Sequence, residues 1–140
     1  MEALTKRPES AEPEVLVAHG IMVSRTIGSP DYPAEEDRLR TNVIASMKRS
    51  LYPVGMQRQM AAIIHDGDRR ARLKKVTAPT LVIHGEADPL VPVEGGRDTA
   101  KAVSGAELKT IPGMGHDLPL QLVPEIADAI AEHAKGAAAD

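Results

Sequence analysis

Apolar residues recur at helical spacing through the first half of the chain, and this pattern predicts a series of amphipathic helices. The positions that share the first helix face are Val15, Ala18, Met22 and Val23. Gly28, followed by Pro30, is a typical helix stop, so we predict a helix over residues 12–27. The apolar run at residues 15–18 is also compatible with a short strand, although Ala, Met and Leu favour helix.

Two further apolar stripes follow this helix. The first comprises Leu39, Val43, Met47 and Leu51. Residues 31–33 should open its helix, because their proline suits a first turn and the acidic residues after it complement the helix dipole. The second stripe comprises Met56, Met60, Ile63 and Ile64. We interpret these four side chains as core, in a helix that Gly67 ends. The alternative is that they line a pocket for an apolar group, since Met adapts to irregular apolar ligands. Asp68 then caps a short turn through Leu73.

The pattern changes at Val76, where β-branched apolar runs alternate with helical segments. Residues 80–84, with the sequence Thr-Leu-Val-Ile-His, predict a strand buried on both faces, as in a parallel sheet. The elements predicted after it are a helix over 94–103, a strand over 107–111 and a helix over 120–134. The predicted fold class is therefore α/β, with an all-helical segment at residues 1–75 and a β-α-β-α segment at residues 76–140.

Composition and charge narrow the classes of function. The 140 residues include no Cys, which excludes a disulfide scaffold, a Cys-based zinc site and a thiol nucleophile. The net charge of −3 and the presence of only two aromatic residues argue against a general nucleic-acid binder. No apolar run approaches the roughly 20 residues of a membrane span, and the N-terminus has no apolar signal segment. We expect a cytoplasmic protein without nucleic-acid or membrane partners.

Two loops that follow the predicted strands carry candidate chemistry. Residues 85–92 include Asp88, and residues 112–117 include His116. Ligands of open α/β sheets bind beyond the carboxyl ends of the strands, so adjacent parallel strands would bring Asp88 and His116 together. A carboxylate that accepts the Nδ1–H of an imidazole orients the ring and stabilises the imidazolium that forms when Nε2 takes a proton. This pair is the base and its orienting acid in a Ser-His-Asp triad.

The order strand, Asp loop, helix, strand and His loop resembles the C-terminal end of the α/β-hydrolase fold. Residues 80–92 look like the acid-bearing segment of that family, and residues 111–116 look like its histidine segment. Residues 1–75 are similar to the helical lid that the family inserts before the acid-bearing strand. Residues 76–140 would then be the C-terminal β-α-β-α of the hydrolase core.

Within this family the chain looks most like small-molecule ester hydrolases, including the polyketide methyl-ester esterases. The resemblance implies that Asp88 is the triad acid and His116 the general base. It also implies a small-molecule ester as substrate and no metal or organic cofactor.

The sequence departs from the family pattern because it has no motif for the nucleophile. In this fold it sits on a strand-turn-helix elbow, usually G-x-S-x-G. The serines here are Ser10, Ser24, Ser29, Ser46, Ser50 and Ser104. None of them has Gly at both −2 and +2, and the first six strands of the usual sheet are missing as well. We therefore expect a truncated ester hydrolase that is inactive alone and needs a complementing N-terminal half.

Two alternatives remain open. The chain could be a non-catalytic interaction module that pairs through an open sheet edge, for example as a homodimer. It could also be a gene fragment whose true start lies upstream of Met1.

Several other motifs have a simpler interpretation than a site. Glu86 is a rival acid, and residues 17–20 mimic the His-Gly that follows an oxyanion-hole strand, although the predicted helix opposes that role. His84 is expected to be packed rather than catalytic. Residues 65–68 resemble metal-ligand doublets but fit a helix end, and the basic run at residues 69–75 fits a solvated helix face.

Overall fold

A computed structural model describes residues 8–138. Residues 1–7 of the first predicted segment and residues 139–140 of the second lie outside the described residues. The elements in chain order are α1 (Pro13–Ile27), α2 (Glu36–Arg49), α3 (Pro53–Asp66), α4 (Arg70–Leu73), β1 (Leu81–Gly85), α5 (Val93–Ala102), β2 (Glu107–Ile111), a 3₁₀ turn (Leu120–Leu122) and α6 (Val123–Ala137). Helices and a parallel strand pair together confirm the predicted α/β class. In this described part of the chain, no helix is long and apolar enough to cross a membrane.

The sheet of the described residues consists of β1 and β2, which pair in parallel. Leu81 lies opposite Glu107 and Gly85 lies opposite Ile111. Parallel strands need a crossover connection, and α5 provides it and packs against both strands. Gly96 of α5 lies against the His84 ring, where a Cβ would be 2.8 Å from Cδ2. Both strands therefore end at the same edge of the sheet.

Of the seven buried apolar side chains among the described residues, six fall into two groups, and the seventh is Val103, directly after α5. The main cluster lies between β2, the loop after it and the last helix, and it consists of Ile111, Met114, Leu122 and Ile126, with Tyr32 and Ile83 packed against it. The other buried group lies on α1, where Val17 and Ile21 are the buried side chains of the helix that packs against α2. The core thus lies directly beneath the loop that follows β2.

Most predicted elements match the structure closely. Residues 13–27 form a helix, which excludes the strand considered at residues 15–18. The strand β2 has the predicted bounds, and β1 is shifted by one residue to Leu81–Gly85. The last helix runs to Ala137, three residues beyond the predicted end.

The predicted start of the second helix is wrong. Residues 31–33 lie outside α2, which begins at Glu36. Asp31 instead donates its backbone N–H to the carbonyl oxygen of Gly113 at 3.3 Å, and Tyr32 packs against the main cluster. Because a residue that precedes proline is also biased away from helical geometry, this segment stays non-helical.

The prediction that the apolar stripe of α3 belongs to the core is also wrong. The four side chains Met56, Met60, Ile63 and Ile64 are 67%, 54%, 56% and 74% exposed. The helix forms as predicted, but no other element of the described chain covers this face. Likewise β1 was expected to be buried on both faces, yet only Gly85 of the strand is buried, because a sheet of two strands has few neighbours.

Gly85 offers a test of how closely the two loops approach the end of β1. A Cβ at this position would overlap the carbonyl oxygen of Met114 and lie 2.7 Å from that of Gly115. We expect Gly85→Ala to lower the free energy of unfolding by roughly 1–3 kcal/mol, since the two backbones would have to separate. Urea unfolding followed by circular dichroism measures this.

Gly136→Ala is the matched control, because a Cβ there meets nothing within 4 Å and Ala suits a helix better than Gly. It should leave the stability unchanged or raise it slightly. Equal stability of Gly85→Ala and the wild type would contradict the close approach.

Candidate active site

Asp88 lies in the turn that follows β1, and its carboxylate is held by the backbone of the same turn. Its Oδ1 accepts the N–H groups of Leu90 and Val91, both at 2.8 Å. This is a common local arrangement for an Asp in a turn before proline. The side chain is only 5% exposed, so the carboxylate has a fixed orientation and little contact with water.

His116 lies within the loop that follows β2. Its Nδ1 is 2.8 Å from Oδ2 of Asp88, while 41% of the His116 side chain is exposed. An ionised carboxylate can only accept hydrogen bonds, so Nδ1 carries a proton and donates a hydrogen bond to Asp88. The other ring nitrogen, Nε2, is then the one free to accept a proton.

Backbone hydrogen bonds join the two loops directly. Glu86 donates its N–H to the carbonyl oxygen of Ile111, and Ala87 donates to that of Met114, both at 3.0 Å. Met114 is buried in the main cluster. The parallel pairing of the strands therefore continues into the loops, and this continuation brings Asp88 and His116 into contact.

The pKa of Asp88 reflects its surroundings. Burial of the carboxyl group acts to raise its pKa, but the hydrogen bonds from the Val91 N–H, the His116 ring and the Leu90 N–H act in the opposite direction. The result is a pKa below the ordinary value of 3.8. The acid is therefore ionised at neutral pH, as an orienting carboxylate must be.

The rival residues lie elsewhere. Glu86 accepts the Thr110 hydroxyl at 2.7 Å rather than a proton of His116. His84 places Nδ1 2.9 Å from the Gly85 carbonyl oxygen, between β1 and α5. Residues 17–20 lie inside α1, so they do not form the strand end that an oxyanion-hole His-Gly requires.

The charged residues after α3 pair with one another. Asp66 accepts a hydrogen bond from Arg72 at 2.6 Å and lies 3.5 Å from Arg69. Asp68 accepts from the backbone and the guanidinium of Arg70, and these bonds lower its pKa to about 2. Among residues 8–138, no cluster of three or more His, Asp or Glu is arranged to hold a metal ion.

Two hollows adjoin the pair. A cleft of about 440 Å³ runs from His116 to the start of α2, and its walls include Pro33, Arg38 and Leu118. A smaller hollow of about 300 Å³ borders both Asp88 and His116. The exposed edge of the imidazole is therefore accessible to a small molecule.

Sequence reasoning missed one buried polar contact beside this pair. The Ser29 hydroxyl donates to Oδ1 of Asp117 and accepts the Gly115 N–H at 2.8 Å. The only sequence signal was the acidic residue directly after His116. Among the described residues, no serine hydroxyl is hydrogen-bonded to the ring of His116, whose Nδ1 has Asp88 as its partner.

Comparison with known proteins identifies a family for this chain. The family model described as serine aminopeptidase, S33, matches residues 51–121, which is about half of the chain and includes both loops. The chain therefore belongs to this family of α/β-hydrolases.

Individual relatives match a shorter stretch. A rhodomycin D methylesterase of Streptomyces peucetius is 39% identical over 69 residues, which are 49% of this chain and 23% of the relative. A non-heme chloroperoxidase of Burkholderia pyrrocinia is 40% identical over 52 residues, covering 36% and 19% of the two chains. A monoacylglycerol lipase of Mycolicibacterium smegmatis is 35% identical over 68 residues, covering 47% and 24%. The chain thus spans about a quarter of the length of these relatives.

The lowered pKa of Asp88 predicts how stability depends on pH. A carboxyl group with a depressed pKa in the fold stabilises it above the ordinary pKa, and this contribution is lost as the pH falls through the folded value. We expect Asp88→Asn to lower the free energy of unfolding by roughly 1–3 kcal/mol at pH 7, because it removes a charged acceptor of three hydrogen bonds. The difference from the wild type should shrink below about pH 4.

Urea unfolding at pH 7 and pH 3 measures this difference. Asp128→Asn is the matched control, since Asp128 is an exposed residue of α6 and should show no such pH dependence. A difference for Asp88→Asn that is the same at both pH values would contradict the ionised pairing.

Proposed function

We propose that this chain carries the acid and the base of a serine hydrolase that acts on small-molecule carboxylic esters. Asp88 is the acid and His116 the base, and the nucleophile belongs to a segment outside these 140 residues. The observation that carries the proposal is the 2.8 Å hydrogen bond between a buried, backbone-held carboxylate and a half-exposed imidazole. This arrangement leaves Nε2 open to a reacting group while the other nitrogen is fixed.

The proposed reaction uses His116 twice. A serine hydroxyl attacks the ester carbonyl and its proton passes to Nε2 of His116. The carbon–oxygen bond to the alcohol then breaks, Nε2 returns the proton to the leaving alcohol, and an acyl-serine remains. A water molecule attacks the acyl-serine in the same way, and this releases the acid and restores the serine.

Asp88 supports both steps without giving up its charge. Its carboxylate keeps the proton of His116 on Nδ1 and stabilises the imidazolium that forms in each half of the reaction. The backbone bonds from Leu90 and Val91 keep the carboxylate from rotating away. The reaction as proposed requires neither a metal ion nor an organic cofactor.

The substrate class is supported by the relatives and by the cleft. Two of the three relatives are named as a methylesterase and a lipase, both of which are ester hydrolases. The cleft beside His116, about 440 Å³, is within the usual range for small-molecule sites. Its walls come from residues between 24 and 42 and from residues 116–121, so the cleft lies between the two predicted segments. This supports residues 1–75 as the lid and residues 76–140 as the end of the core.

A second function has one supporting feature. Each strand of the described sheet has a neighbour on one side alone, and an open strand edge can pair with another chain. A homodimer joined through these edges would make the chain an interaction module. The similarity to hydrolases favours the enzymatic role, and the assay below separates the two.

Complementation tests the proposed hydrolase. The chain is mixed with a separately expressed N-terminal half of a family member that contains the G-x-S-x-G elbow, and turnover of a chromogenic ester is measured. We expect no turnover by the 140-residue chain alone and measurable turnover by the mixture. His116→Ala should reduce the turnover of the mixture roughly 10³-fold or more, because the serine then lacks its base.

His133→Gln is the matched control, since His133 lies near Glu107 at the opposite end of β2 from the site. It should leave the turnover unchanged. Binding without turnover, or a compact dimer with protected strand-edge amides, would contradict the hydrolase and favour the interaction module. Turnover by the chain alone would show that the nucleophile lies within it.

A further inference from the structure

The segment that joins α1 to α2 lies alongside the loop that carries His116. The backbone N–H of His116 donates to the carbonyl oxygen of Ile27 at 2.7 Å, and the N–H of Asp31 donates to that of Gly113 at 3.3 Å. These two hydrogen bonds join parts of the chain that are far apart in sequence. The His116 loop is therefore held by this segment as well as by the Asp88 loop.

Ser29 lies between these two backbone contacts. Only 5% of its surface is exposed. Its hydroxyl accepts the N–H of Gly115 at 2.8 Å and donates to Oδ1 of Asp117, so both of its hydrogen-bonding roles are used. The two contacts fall on the residues immediately before and after His116.

The two segments approach closely on either side of Ser29. A Cβ on Gly115 would overlap the carbonyl oxygen of Gly28 and lie 2.7 Å from that of Ile27. Gly113 has a φ of 68°, and a Cβ there would overlap the carboxylate of Asp31. At this close approach, the hydroxyl of Ser29 links the segment to the loop through its bonds to Gly115 and Asp117.

We propose that Ser29 is a positioning residue, whose hydroxyl fixes the backbone on both sides of His116 so that the imidazole meets Asp88. Ser29 acts through the loop and does not contact a reacting group. The importance of this role for catalysis rests on the proposed function, whereas the effect of Ser29 on the position of His116 does not.

Nuclear magnetic resonance of the full 140-residue chain tests this role with Ser29→Ala. We expect the Gly115 amide to exchange with solvent about tenfold faster, the factor for one lost hydrogen bond. The Nδ1–H resonance of His116 should shift or broaden, while the amides of the β1–β2 pairing keep their exchange rates. A merely structural role would speed exchange throughout the sheet and would not single out His116.

Three further variants keep the result interpretable. Ser46→Ala, on the exposed side of α2, is the matched control and should change neither signal. Asp117→Ala should reproduce the effect on His116, whereas Asp117→Asn keeps a carbonyl acceptor for Ser29 and should restore the wild-type resonance. If Ser29→Ala fails to fold, the comparison of the two Asp117 variants decides.

The proposal is overturned if Ser29→Ala, or Asp117→Ala in its place, leaves the His116 resonance and Gly115 exchange as in the wild type. Uniform acceleration across the sheet would also overturn it. These readouts need no turnover, so failure of complementation with a shifted His116 resonance would remove the hydrolase and leave the positioning role standing.

Discussion

The parallel pairing of β1 with β2 is the constraint on which the candidate site depends. With Gly85 opposite Ile111, the two strands end at one edge, and the loops that follow continue to exchange backbone hydrogen bonds. A slip of one residue would displace Asp88 relative to His116 by about 3.3 Å, more than the length of the hydrogen bond between them. The buried Met114 and the close approach at Gly85 hold the register, because either loop would have to move away to change it.

Elements set by local patterns could be predicted from the sequence. The helix at residues 13–27, the strand β2 and the crossover α5 follow from spacing, β-branched runs and Gly or Pro boundaries. The start of α2 could not be predicted, because the partner of Asp31 is Gly113, a contact with no local signature. The stripe on α3 predicted a helix correctly, but amphipathic spacing does not show what covers the apolar face.

Some residues of the candidate site could also be predicted from the sequence, and one could not. Asp88 and His116 were predictable as neighbours because each lies in the loop that follows a strand, and parallel strands end at one edge. Ser29 was not, since a serine between glycine and proline is an ordinary turn residue until its distant partners, Gly115 and Asp117, are known. The Ser29 hydroxyl is buried only where the segment after α1 meets the His116 loop. No single stretch of sequence contains both parts.

The contacts around residues 27–31 have a mechanical consequence. The same segment ends α1 and leads into α2, so it joins the helical part of the chain to the loop that holds the imidazole. Any rigid-body movement of α1 and α2 away from the sheet must either carry His116 along or break its backbone hydrogen bond to Ile27. Opening of the cleft between the helices and the loop is therefore coupled to the position of the His116 imidazole, and the two cannot change independently.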